Sequence, residues 1–145
     1  MTNDKGLFLQ PIYFPIAEMG KQRGSTSLDV WVSSPTYKVA DRAQELKYLD
    51  VSATYDRPNK RLFVNVLNRS RDKDIAATIE NSAGGLAPDA TVWQMNNSDL
   101  KATHTFGDDR KVRPTTTTAT LASDGGALRY TFPAHSLTVL TLKTP

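Results

Sequence analysis

At 145 residues with no cysteine, the chain is expected to form one domain, without disulfides, thiolate metal sites or cysteine nucleophiles. Its hydrophobic fraction of 39% and charged fraction of 23% are those of a soluble globular protein, and no apolar run approaches the roughly 18 residues of a membrane span. The net charge of +3 gathers partly in Arg57, Lys60, Arg61, Arg69, Arg71 and Lys73, but Asp56, Asp72 and Asp74 interleave with them, so no one-signed patch for nucleic acid is expected.

The opening residues Met1 to Gly6 lack the charged and then apolar halves of a secretory signal. Leu7 to Ile16 is strongly apolar but broken by Pro11 and Pro15. It reads as an extended edge segment or irregular lead-in, because proline removes ladder donors and ends helices. Residues 1–24 are therefore a lead-in, and residues 25–145 a β-sandwich domain. Lys21 to Ser27 is a polar loop. Leu28, Val30 and Val32 alternate with Asp29, Trp31 and Ser33, which predicts a half-buried strand ended by Pro35. Val39 to Lys47 has the only helical composition and is long enough for a loop or one helical turn.

Leu49, Val51, Ala53 and Tyr55 set one face of the next strand. The turn Asp56 to Lys60 follows, with Pro58 presetting φ and Asn59 suited to a left-handed conformation. Leu62 to Leu67 returns as the partner strand. After the polar turn Asn68 to Asp74, Ile75, Ala77 and Ile79 alternate again. Ala90 to Met95 places Val92 on one face and Trp93 and Met95 on the other. Lys101 to Pro114 has no clean period and reads as a structured loop. The threonine run from Thr115 favours extended backbone and suits an exposed edge strand. Asp124-Gly125-Gly126 predicts a hairpin turn before the strand carrying Leu128, Tyr130 and Phe132. The last strand is fed by the turn Pro133 to Ser136. It is apolar on both faces, with Leu137 and Val139 on one and Leu140 and Leu142 on the other, as in the middle of a packed sheet. About eight short strands spaced by turns, with almost no helix, predict an all-β fold: an antiparallel, jelly-roll-like β-sandwich.

Few residues suggest chemistry. The glutamates are Glu18, Glu45 and Glu80, and nothing in their spacing places two at the separation a glycosidase needs. His104 and His135 carry no metal-ligand spacing, and no cofactor is implied. His135 and Ser136 are immediate neighbours, which on a strand point apart; His135 is expected to bond backbone instead. The better candidates are aromatic. Trp31, Tyr48 and Trp93 fall on faces that are either open for sugar stacking or covered by a second layer, and tryptophan is usually buried.

Four stretches resemble one known family in its own order: Leu9 to Pro15; the strand pair Tyr48 to Ala53 and Phe63 to Ser70; the loop Asp99 to Phe106 with Val112 and Pro114; and Pro133 to Leu140. They are similar to the C-terminal domain of α-L-arabinofuranosidases of glycoside hydrolase family 51. One departure is His104, where the family usually has asparagine. The resemblance implies a jelly-roll sandwich that follows a (β/α)8 catalytic barrel. The family's two catalytic glutamates lie on that barrel, the acid/base in an Asn-Glu pair. This chain has no Asn-Glu dipeptide, so no catalytic, cofactor or metal position transfers to it.

The expectation is thus a non-catalytic accessory domain. It would support the barrel and subunit contacts, with Leu7 to Ile16 facing the barrel. A parent enzyme would remove terminal arabinofuranosyl groups from arabinan or arabinoxylan, in the cytoplasm or after secretion. The expected partners are that barrel, a homo-oligomer formed through the parent, and polysaccharide, with neither nucleic acid nor membrane. The alternatives are a carbohydrate-binding module using Trp31 or Trp93, and a stand-alone structural sandwich.

Overall fold

The computed structural model describes residues 1–4, 6–41 and 43–144. Along the chain run β1 (Thr2–Asn3), β2 (Gly6–Leu7), α1 (Tyr13–Gly20), β3 (Thr26–Leu28), β4 (Thr36–Tyr37), β5 (Leu46–Lys47), β6 (Leu49–Asp56) and β7 (Arg61–Asn68). Then follow β8 (Ile75–Ile79), β9 (Asp89–Met95), β10 (Thr115–Thr120), β11 (Ala122–Asp124), β12 (Ala127–Phe132) and β13 (Leu137–Lys143). Two antiparallel sheets form the sandwich, one ordered β10-β9-β13-β7-β6-β3 and the other β11-β12-β8.

The period-two pattern decides what lies between the sheets. From the larger sheet, Leu49, Ala53, Leu62, Val64, Val66, Ala90, Val92, Leu140 and Leu142 point inward. They meet Leu128 and Phe132 of the smaller one. β13 is the central strand, paired with β7 on one side and β9 on the other. Its second face carries Val139, buried with Phe63 and Trp93 beneath Phe14 of the lead-in. Both faces of this strand are therefore covered, one by the opposing sheet and the other by α1. The threonine strand β10 is an exposed edge, in register with β9 from Thr115 opposite Gln94 to Thr120 opposite Asp89. The β11–β12 hairpin turns at Gly125 and Gly126 with φ of 58° and 90°, which only a residue without Cβ adopts freely.

Four sequence expectations need correction. The segment Leu7 to Ile16 is not extended throughout, since Tyr13–Gly20 is helical. Pro15 sits in the first turn, where backbone N–H groups have no intrahelical partner, so its missing donor costs little. The strand read at Leu28 to Ser33 is shorter: β3 ends at Leu28, and residues 29–35 run on unpaired. Leu46–Lys47, in the stretch read as loop or helical turn, pairs with Thr36–Tyr37; Arg42 of that stretch lies outside the described residues. The left-handed residue of the β6–β7 turn is Lys60, at φ 49°, not Asn59.

Asn59 has a different use. Its Nδ2 donates to both carboxylate oxygens of Asp56, at 3.1 and 2.8 Å, and Arg61 Nη2 adds a contact at 2.8 Å. These bonds, Asn59 first and Arg61 next, hold the Asp56 carboxyl below its ordinary pKa. A group whose folded pKa is depressed stabilises the fold above its unfolded pKa of about 3.9, and that contribution is lost as pH falls through the folded value. Urea midpoints measured at pH 6 and pH 3 should therefore fall less in Asp56→Asn than in the wild type. An equal acid loss in both would refute the assignment.

Candidate functional site

The outer face of the larger sheet is the most elaborated surface. Strand register builds it row by row. Val139 lies between Asn65 and Trp93, and Leu137 between Leu67 and Met95. Phe14 from α1 packs onto this cluster. The Arg113 guanidinium covers the Phe14 ring at 4.9 Å, and the His104 ring meets it edge-on at 6.2 Å. A buried amide pair ties down the segment after the helix: Gln22 Nε2 donates to Asn65 Oδ1 at 2.6 Å, and Asn65 Nδ2 donates back to Gln22 Oε1 at 3.1 Å. Thr54 Oγ1 donates to the same Gln22 oxygen at 2.9 Å. Apolar side chains alone could slide over a sheet; reciprocal buried amides fix the register of the lead-in on it.

His104 fastens the other end. Its ring is buried, with Nδ1 at 2.5 Å from the Leu9 carbonyl and Nε2 accepting the Val112 N–H at 3.1 Å. The Val112 donor assigns the proton to Nδ1, which then donates to Leu9. His104 thus joins the lead-in to the loop before β10. Phe8, also buried, meets Phe106 of that loop edge to face at 4.7 Å.

Between α1 and the loop after β9 lies an open groove of about 510 Å3. Ser52, Asn65, Leu67, Met95 and Leu137 are among the residues lining it from the sheet, with Ile12, Pro15 and Met19 from the lead-in and Leu100 from the loop. Beside it, α1 leaves a stripe open to solvent: Ile12, Ile16 and Met19, at i, i+4 and i+7, with Ile16 65% exposed. Leu67 and Leu100 are exposed on the same groove. Sequence reading missed this stripe because two prolines masked the helical period.

The other candidates separate. Glu18 lies on α1 and pairs with Lys21; Glu45 accepts from Thr36 Oγ1; Glu80 follows β8 in the smaller sheet. The three sit on different elements. Among the described residues, no group of three His, Cys, Asp or Glu side chains could hold a metal ion. His135 bonds backbone through Nδ1, to the Arg71 carbonyl at 2.8 Å, while Ser136 Oγ donates to the Pro133 carbonyl at 2.7 Å. Each is therefore engaged away from the other. Trp93 is buried and Tyr48 is half-buried against Tyr37, at 4.8 Å between rings. Trp31 is the exception, 87% exposed.

The comparisons with known proteins agree with this architecture. The family described as the α-L-arabinofuranosidase C-terminal domain matches residues 1–136. A probable α-L-arabinofuranosidase C of Aspergillus clavatus is 30% identical over 151 residues, covering 99% of this chain. Its counterpart in Aspergillus fumigatus is 29% identical. Among solved structures, the α-L-arabinofuranosidase of Thermotoga maritima superposes with a TM-score of 0.82 at 23% identity over 99% of the chain. The GH51 arabinofuranosidase of Xanthomonas axonopodis pv. citri gives 0.84 at 17% over 98%. The chain spans only 27% of the Aspergillus proteins and 31% and 28% of the two solved chains. The chain therefore belongs to the α-L-arabinofuranosidase C-terminal domain family.

Proposed function

We propose that this chain is a non-catalytic accessory domain of an arabinofuranosidase-like glycoside hydrolase. Its outer sheet face would pack against the catalytic domain of the same parent. The observation that carries the reading is the open apolar stripe Ile12, Ile16 and Met19 beside the groove. A helix that packs a half-buried Phe14 on its own sheet and shows a second apolar stripe to water is built for two neighbours. The matched relatives, more than three times longer than this chain, supply the second: a catalytic domain. Residues 1–24 then serve as a lead-in with one side on the sandwich and the other on the partner, and residues 25–145 as the sandwich proper. The parent would release terminal arabinofuranosyl groups, with both catalytic carboxylates supplied by its catalytic domain.

Two measurements test this. The purified 145-residue chain should hydrolyse an aryl α-L-arabinofuranoside no faster than buffer; turnover above that rate overturns the non-catalytic assignment. In a longer protein that carries the catalytic domain, Ile16→Glu combined with Leu67→Glu should loosen the two domains, read as faster proteolysis between them. The same pair should leave the melting temperature of the isolated chain nearly unchanged, because both side chains are exposed there. Unaltered proteolysis would place the contact elsewhere.

A further inference from the structure

Trp31 is not explained by the docking face. Its segment, residues 29–35, packs Val30 and Val32 on the core between the sheets, not on the outer face that α1 covers. The segment is held firmly although it pairs with no strand. Lys47 Nζ donates to the Val32 carbonyl at 2.5 Å, the Leu49 N–H to Ser34 Oγ at 3.0 Å, and the Tyr48 N–H to the Pro35 carbonyl at 2.9 Å. With Val30 and Val32 turned in, alternation turns Asp29, Trp31 and Ser33 out, and all three are exposed. The fold gains nothing from an indole left in water.

We propose that Trp31 is the stacking platform of a saccharide site, with Asp29 and Ser33 as its polar flanks, and that its ligand is an uncharged polysaccharide of furanose or pyranose rings. Such a sugar has an apolar face of C–H groups and a rim of hydroxyls. The face suits an indole, and the rim needs hydrogen-bond partners beside it. Extended residues two apart are separated by roughly 6.5 Å, so Asp29 and Ser33 would stand about that far to either side of Trp31, and a ring stacked on the indole would have a carboxylate acceptor at one edge and a hydroxyl at the other. A protein partner would call for a different setting. Aromatic anchors of protein interfaces sit at the centre of apolar, water-excluding patches, whereas the side chains flanking Trp31 on its face are polar.

The two tryptophans make the test direct. Trp93 is 6% exposed, so a glycan that changes indole emission reports on Trp31. Titration of the 145-residue chain with soluble arabinoxylan or arabinan should give a saturable emission change, and migration through gels containing the glycan should be retarded. Trp31→Ala should abolish both with an unaltered circular dichroism spectrum. Trp31→Tyr should keep the retardation, weakened by about threefold to tenfold, the range expected of one aromatic contact. A wild-type emission that no glycan alters overturns the proposal, as does an equal response in Trp31→Ala. A wild-type dimer in sedimentation velocity that Trp31→Ala dissolves would also overturn it, in favour of self-association. None of these readouts depends on catalysis or on the docking face, so the accessory-domain reading and this one fail separately.

Discussion

Leu140→Ala should destabilise the domain by about 3–5 kcal/mol, the range for a fully buried leucine whose surroundings cannot collapse. Leu140 is completely buried in the central strand β13, opposite Val64 of β7 and Val92 of β9. Ladders on both sides hold its backbone in place, so neither neighbour can move in to fill the space. For a domain of this length the loss corresponds to a melting temperature lower by roughly 10 °C or more. Chemical denaturation should show a lower midpoint with an unchanged slope. A loss under about 1 kcal/mol would mean that the core is not close-packed at this strand.

Asn68→Ala should cost a comparable amount for a different reason. The side chain is 1% exposed and joins two turns distant in sequence. Its Nδ2 lies 3.0 Å from each of the carbonyls of Lys73, Phe132 and Pro133, and its Oδ1 accepts the Ser70 N–H at 2.9 Å. Alanine leaves these backbone groups buried with a partner missing, at about 1–3 kcal/mol for each one left unsatisfied. The expected total is about 3 kcal/mol or more, read as a lower urea midpoint. Hydrogen exchange at the Ser70 amide should accelerate beyond the global change. Asn68→Asp should be worse, since it keeps the acceptor and replaces the donor with a charge facing three carbonyls. A neutral Asn68→Ala would refute the role of this side chain.

What could be read from the sequence follows from what is local. Alternation separated Val92 from Trp93, and these residues do lie in different clusters on opposite faces of the sheet. The two apolar faces of β13, the glycine hairpin and the threonine edge were legible for the same reason: side-chain period and backbone freedom are properties of neighbouring residues. The fold family was legible from four short stretches in order. The lead-in helix was not, because proline in a first turn looks in sequence like proline in a helix interior. Nor were the tasks of Gln22, Asn65, Asn68 and His104, whose partners lie far along the chain. Polar residues that fasten distant segments leave no periodic trace. Trp31 was named as a candidate, but its alternation with Val30 and Val32 fits a paired strand and an unpaired segment equally well; only tertiary structure tells them apart.

The position of β13 also bears on how the domain assembles during translation. β7 and β9 are made first, yet neither can complete its ladder until Leu137–Lys143 inserts between them. Until that segment clears the ribosome, two long strands present unsatisfied edges and half a core, the state in which strand-rich chains seek wrong partners. Inserting one strand between two others couples both ladders to it, so loss of β13 would open the larger sheet down its middle, whereas loss of the edge strand β10 would open one ladder.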